Sequence, residues 1–374
     1  MNKRKLFVSF ILLFLLLVIQ RGYSGTLLYA GESIYSAAGY PCLIKQSIIP
    51  DNKPLVVLIP GDANLARIFY GFPGANPKDF LEYWLNKEGY STLAISYPTD
   101  NNVFGKKTYP LFNIHDWAKQ AVIVTKKIIQ RHHLSHHVIL VVWSMGGIIT
   151  PEYNKIAKNN NLDVVAMSLS ATPPIPDLIP QQNKTVQFLK NGLSDRVRLR
   201  SARFLKFLSE ENHINKKIVI PKKIYLSDFL GNTPVTLLNA GYTPVNKKIM
   251  FCPKTELQDS DGLSFRDYPI TGIIHGDSAS DMQHVIGDQY TWMFLNQQTI
   301  YRNYFYGKNL FHISKKSGVQ LVNKINVMEA NMSCTVRGGH FFFVGQYGAK
   351  TTATCINVLY HNITQLQYFL KKRS

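Results

Sequence analysis

Residues 138–153, VILVVWSMGGIITPEY, pass from an unbroken apolar stretch into a serine, two glycines and a helix-forming segment. Val138 to Trp143 reads as a strand buried on both faces, because no polar residue alternates with the apolar ones. Ser144 then falls at the apex of a strand-to-helix turn. A turn this tight forces its apex into a strained backbone conformation, so the neighbouring residues must be small. Gly146 and Gly147 meet that need. Such a turn thrusts the hydroxyl above the sheet edge and aims the Met145 amide at the same space. The pattern expected of a nucleophile elbow is G-x-S-x-G, whereas here Val142-Trp143-Ser144-Met145-Gly146 puts valine at the first glycine. The branched side chain is expected to crowd the elbow.

A serine hydroxyl attacks only when a base removes its proton. The stretch VRGGHFFFVG supplies His340 late in the chain, where Gly338 and Gly339 let a loop reach over the sheet edge and three phenylalanines anchor the next segment in the core. A carboxylate must then orient the imidazole. In IIHGDSASDMQHV, Asp281 is preferred because it lies far enough into its loop to swing toward His340. Asp277, directly after Gly276, is its rival, and Asp177 is an outside choice. The oxyanion of an acyl transfer needs two amide donors. Met145 is one, Asp62 just past Gly61 is the other, and Ala63 is the fallback. An Asp62 side chain must point away from developing negative charge.

Other segments supply a matching framework. Pro54 to Gly61, Tyr90 to Pro98, Asp163 to Ala171 and Pro269 to Asp277 read as strands. Asn76-Pro77 opens a helix carrying Phe80, Leu81, Trp84 and Leu85, and Gly89 closes it. Trp117, Ala121, Val124 and Ile128 mark one face of a helix over Asp116 to Gln130. Ile148 to Lys158 is a further helix, in which Pro151 is expected to kink the first turns. Apolar strands alternating with amphipathic helices predict a mostly parallel central sheet with helices on both faces. The stretch from about Pro173 to Tyr268 breaks that rhythm and reads as an inserted lid within a single domain of residues 26–374. The aromatic-rich run Tyr301 to Phe311 belongs to an acid-to-histidine connection longer than a minimal enzyme needs.

The first 25 residues stand apart. Lys3, Arg4 and Lys5 precede an apolar run from Leu6 to Ile19, followed by Gln20, Arg21 and small residues. This is the pattern of a secretory signal, and the run is short for a membrane span; an uncleaved N-terminal anchor is the alternative. Either predicts a secreted or periplasmic location. Cys42, Cys252, Cys334 and Cys355 then allow up to two disulfides, or buried thiols. Asn183, Asn331 and Asn362 head sequons that matter only in a glycosylating host. A net charge of +19 favours anionic partners, an anionic membrane surface among them. No nucleic-acid module is evident, so no nucleic-acid partner is expected. Arg196, Arg198, Arg200 and Arg203 alternate with Phe204, Leu205, Phe207 and Leu208, a mixture that can rest on anionic lipid. His132, His133, His136 and His137 have metal-ligand spacing but lack a companion carboxylate or cysteine, so no metal site is expected.

Together, LIPGD, WSMGG, HGDSASD and GGHFFF resemble the α/β-hydrolase superfamily over most of the mature length. The GGHFFF segment is similar to the histidine loop of its thioesterases. Gly61-Asp62 and Pro151, seven residues past the serine, are also similar to features of VirJ-type periplasmic virulence hydrolases. The resemblance implies the α/β-hydrolase fold and a Ser144–His340–Asp triad working through an acyl-enzyme without cofactor. The resemblance does not choose a substrate; the aromatic, basic lid favours a lipid or other hydrophobic carboxylic ester, as for an esterase or lipase. Thioester or peptide cleavage on the same triad, or a virulence or surface factor that kept the fold without turnover, are the alternatives.

Overall fold

A computed structural model describes residues 28–50, 53–175, 187–238, 241–245, 248–252, 255–309 and 314–372. The N-terminal segment 1–25, Asp177 and the Asn183 sequon lie outside these. Eight strands form the main sheet: β1 (Glu32–Ala37), β2 (Tyr40–Ser47), β3 (Leu55–Ile59), β4 (Thr92–Ser96), β5 (His137–Trp143), β6 (Asp163–Leu169), β7 (Thr271–Gly276) and β8 (Ser333–Val336). Their order is β1-β2-β4-β3-β5-β6-β7-β8. β2 runs antiparallel to both β1 and β4, and every pairing from β4 to β8 is parallel.

The central strands are apolar because both faces are covered. All five residues of β3, and all of β5 after His137, are buried. The flanking helices are α1 (Leu81–Lys87), α2 (Ile114–His132), α3 (Thr150–Asn159), α4 (Arg196–Asn215), α5 (Gln289–Ile300), α6 (Lys315–Asn326) and α7 (Gln346–Lys371). Asn113 starts α2 with a capping box: its side chain accepts from the Asp116 amide, and the Asp116 carboxylate accepts from its own. Pro151 falls within the first turn of α3, where a missing N–H costs nothing, so the expected kink does not arise. A 3-10 turn over Ser144–Ile149 joins β5 to α3. This strand order, with the serine turn after β5, is the α/β-hydrolase fold.

Between β6 and β7 the chain leaves the sheet. It forms α4 and two small ribbons, Leu193–Ser194 with Thr233–Pro234 and Tyr242–Val245 with Lys248–Phe251. The insertion is tied to the loop after β3. Leu65 N donates to Phe229 O (2.7 Å) and Gly231 N to Ala63 O (2.9 Å). The apolar side of α4 faces inward. Phe204, Phe207 and Leu208 are buried, and Phe207 packs 5.6 Å from the Phe341 ring. Among the described residues, no helix is long and apolar enough to cross a membrane.

A disulfide joins Cys334 of β8 to Cys355 of α7, stapling the last helix to the edge strand. Cys42 is buried, and burial alone pushes its thiol up to about 12. The bridge spans 21 residues. Closing a loop of that size restricts the unfolded chain by about 3 kcal/mol. Cys355→Ala, followed by urea unfolding, should therefore lose stability of that order, and dithiothreitol should have the same effect on the unaltered protein and none on the variant.

Candidate active site

Three loops converge at the carboxyl edge of the sheet. Among the described non-glycine residues in left-handed backbone, Ala63 (φ 58°), Ser144 (φ 52°) and Ser170 (φ 39°) follow β3, β5 and β6 respectively. Such conformations cost on the order of 1–3 kcal/mol each and persist only where the surroundings impose them. At Ser144 the imposition is visible. Its carbonyl accepts from the Thr172 amide at 2.8 Å. A Cβ on Gly146 would lie 2.8 Å from the Pro60 oxygen, and one on Gly61 would lie 2.6 Å from the Ser144 Cβ. The tightest approach to the serine thus comes from the facing loop. Val142 does not crowd the turn: it is fully buried in the core, paired with Ile59 and Ser168 across the sheet.

The Ser144 hydroxyl lies 3.0 Å from His340 Nε2, and His340 Nδ1 lies 2.8 Å from Asp281 Oδ1. A carboxylate only accepts, so Nδ1 carries the proton and Nε2 accepts from the serine. Asp281 is 2% exposed and its other oxygen accepts from the Ser170 hydroxyl. Burial pushes the Asp281 carboxyl up, but the His340 bond, the nearby imidazoles and Ser170 outweigh it and hold it below its usual range. Burial pushes His340 down, and His284 and Arg203 push the same way against Asp281. The resting pair is therefore an ionised Asp281 beside a neutral His340, the state a general base requires.

Asp277 does not reach the imidazole. It is exposed, and its carboxylate accepts from the Gly338 amide at 2.9 Å, fixing the loop that carries His340. The Met145 and Asp62 amides are taken by no protein acceptor among the described residues, so both are open to an oxyanion. The Ala63 fallback is excluded, because its amide already faces the Tyr97 hydroxyl (2.9 Å) and Thr233 Oγ1 (3.1 Å). The Asp62 carboxylate is turned to Thr233 Oγ1 (2.7 Å) and Arg196 Nε (2.6 Å).

Several neighbours have no counterpart in the sequence reading. His284 stacks on His340, centroids 4.7 Å apart and planes 16° from parallel, while its Nδ1 meets Asp288 at 2.6 Å. Trp143 donates from its indole nitrogen to the His340 carbonyl at 3.1 Å. Glu211 of α4 accepts from the Gly339 amide at 3.0 Å. Burial pushes its carboxyl up to about 8, with Glu210, Asp277 and Asp281 adding to the shift against the Gly339 bond. Only the segment HGDSASDMQHV, with its second histidine, carries a signal for His284. Asp281, His284 and His340 form the one cluster among the described residues whose donor atoms approach as metal ligands would. Their hydrogen bonds to Ser144 and Asp288 occupy them otherwise. His132, His133, His136 and His137 do not come together in such a cluster; His137 instead meets Asp163 at 3.1 Å.

No family model matches this sequence, and no curated protein does. Among solved structures, the chain is similar to a serine hydrolase from Cycloclasticus zankles, at 10% identity over 90% of this chain and 97% of that one, with a TM-score of 0.47. It is also similar to a thermophilic esterase from Thermogutta terrifontis, at 9% identity over 89% and 99%, TM-score 0.46. The thioesterase domain of the curacin biosynthetic pathway matches at 12% identity over 87% and 98%, TM-score 0.41.

Gly61→Ala should push the Ser144 turn out of place, with a lower melting temperature and slower labelling of the serine by a fluorophosphonate. His284→Ala removes an influence that depresses His340. The acid limb of a pH–labelling profile, where the base takes up its proton, should therefore move to higher pH; an unmoved limb would show that the stacked ring has no electrostatic effect.

Proposed function

We propose that this chain is an exported serine hydrolase that cleaves carboxylic esters through an acyl-enzyme. The observation carrying the reading is the unbroken contact from Ser144 Oγ through the His340 ring to the buried Asp281 carboxylate. The two free amides at Met145 and Asp62 support it further.

In this reading the Ser144 oxygen attacks the ester carbonyl as its proton passes to His340 Nε2. The carbonyl oxygen becomes an oxyanion held by the Met145 and Asp62 amides. Asp281 stabilises the imidazolium that forms. That imidazolium returns the proton to the leaving alcohol as the carbon–oxygen bond breaks. Water then attacks the acyl group, again giving its proton to Nε2, and frees the acid and Ser144. A hydrophobic acyl chain is the favoured cargo, because Phe207 and Trp143 pack 5.3 Å from the His340 ring. Export is favoured by the basic and apolar start of the sequence and by the Cys334–Cys355 bridge, which persists in an oxidising compartment.

Ser144→Ala should lower turnover of short p-nitrophenyl esters by roughly 10⁴-fold or more and end fluorophosphonate labelling, with the melting temperature kept. Activity retained in that variant would refute the assignment. A folded wild-type protein that neither labels nor turns over would favour a factor that kept the fold alone.

A further inference from the structure

Helix α4 carries arginines that the reaction above leaves without a task. Arg196, Arg200 and Arg203 recur at i, i+4 and i+7, so they share one face and span about 10 Å of helix axis. Both ends of the row meet the candidate site. Arg196, 7% exposed, pairs with the carboxylate of Asp62, whose amide is an oxyanion donor in the proposed reaction. Arg203 lies 5.3 Å over the Phe207 ring, and that ring packs 5.3 Å from His340.

The row is short of acceptors. Arg196 Nη1 is buried with no hydrogen-bond partner among the described residues. Arg200, half-buried between the other two, makes no hydrogen bond or ion pair among them. Burial pushes its guanidinium below the ordinary value, Arg196 and Arg203 push it further, and Asp62 is the one group that opposes them. Asp62, already bonded by Arg196 and Thr233, is the one carboxylate that acts on Arg200, so this part of the row holds more positive charge than it has acceptors. Guanidinium forks match the oxygens of a phosphate, which offers more acceptors than a carboxylate.

We propose that Arg200 and the open Nη1 of Arg196, with the exposed Arg203 at the outer end of the row, form an anion subsite beside Asp62, and that the ester cleaved at Ser144 carries a phosphate group. The ester bond rests on the hydrolase reading; the anion subsite does not. The phosphate belongs either to a soluble metabolite or to a lipid headgroup.

The test uses the full chain carrying Ser144→Ala, titrated calorimetrically with hexyl phosphate and with hexanol. Hexyl phosphate should bind at least tenfold more tightly than hexanol. Adding Arg200→Ala should erase that preference, and Arg200→Lys, which keeps a charge, should erase less of it. Equal affinity for the two ligands, or a preference untouched by Arg200→Ala, would overturn the subsite. Fluorophosphonate labelling of the unaltered serine reports separately on the hydrolase reading, so the two can fail independently. Co-sedimentation with phosphatidylglycerol over phosphatidylcholine vesicles, lost in Arg200→Ala, would assign the phosphate to a lipid; equal retention on both, with hexyl phosphate bound, would assign it to a soluble ester.

Discussion

The site depends on one strained residue. Ser144 holds a left-handed backbone that its side chain disfavours, and it stays there because β5, the Thr172 amide and two glycine-lined approaches leave it nowhere else to go. From that position its hydroxyl meets an imidazole arriving from residue 340 and its neighbouring amide remains open. A relaxed turn would sink the oxygen toward the sheet. The reactive geometry is thus maintained by core packing, since β5 and β3 are buried along nearly their whole length.

Much of this is legible in the chain. The apolar runs at β3, β5 and β6 announce strands covered on both faces, and the helix over Ile114–His132 comes directly from the spacing of Trp117, Ala121, Val124 and Ile128. The Ser144 turn is readable because glycine two residues after a strand-ending serine has a steric reason. The valine at 142 misleads for an instructive cause. The sequence shows which residue is small along the chain, whereas the needed space is supplied from across the turn, by Gly61.

The hidden part depends on long-range contact. Asp277 and Asp281 differ by four positions, and only the loop's path decides that one pins Gly338 and the other faces the imidazole. The choice between Asp62 and Ala63 turns on Tyr97 and Thr233, far away in sequence. Periodicity in α4 reveals an apolar stripe without saying whether it meets lipid or protein; Phe341, Phe204 and Phe207 show that it meets protein. The second histidine of HGDSASDMQHV marks His284, but its stacking on His340 is set by the path of the loop and not by local spacing.

Glu211 has a mechanical consequence. Its carboxyl, pushed up to about 8 by burial, accepts from the Gly339 amide, and the adjoining Glu210 accepts from the Ser280 hydroxyl. Helix α4 is therefore bonded to the two loops that bear His340 and Asp281. Any displacement of α4 would drag on the same loops that align the proton path. The contacts from Glu210 and Glu211 thus couple the position of α4 to the alignment of His340 and Asp281.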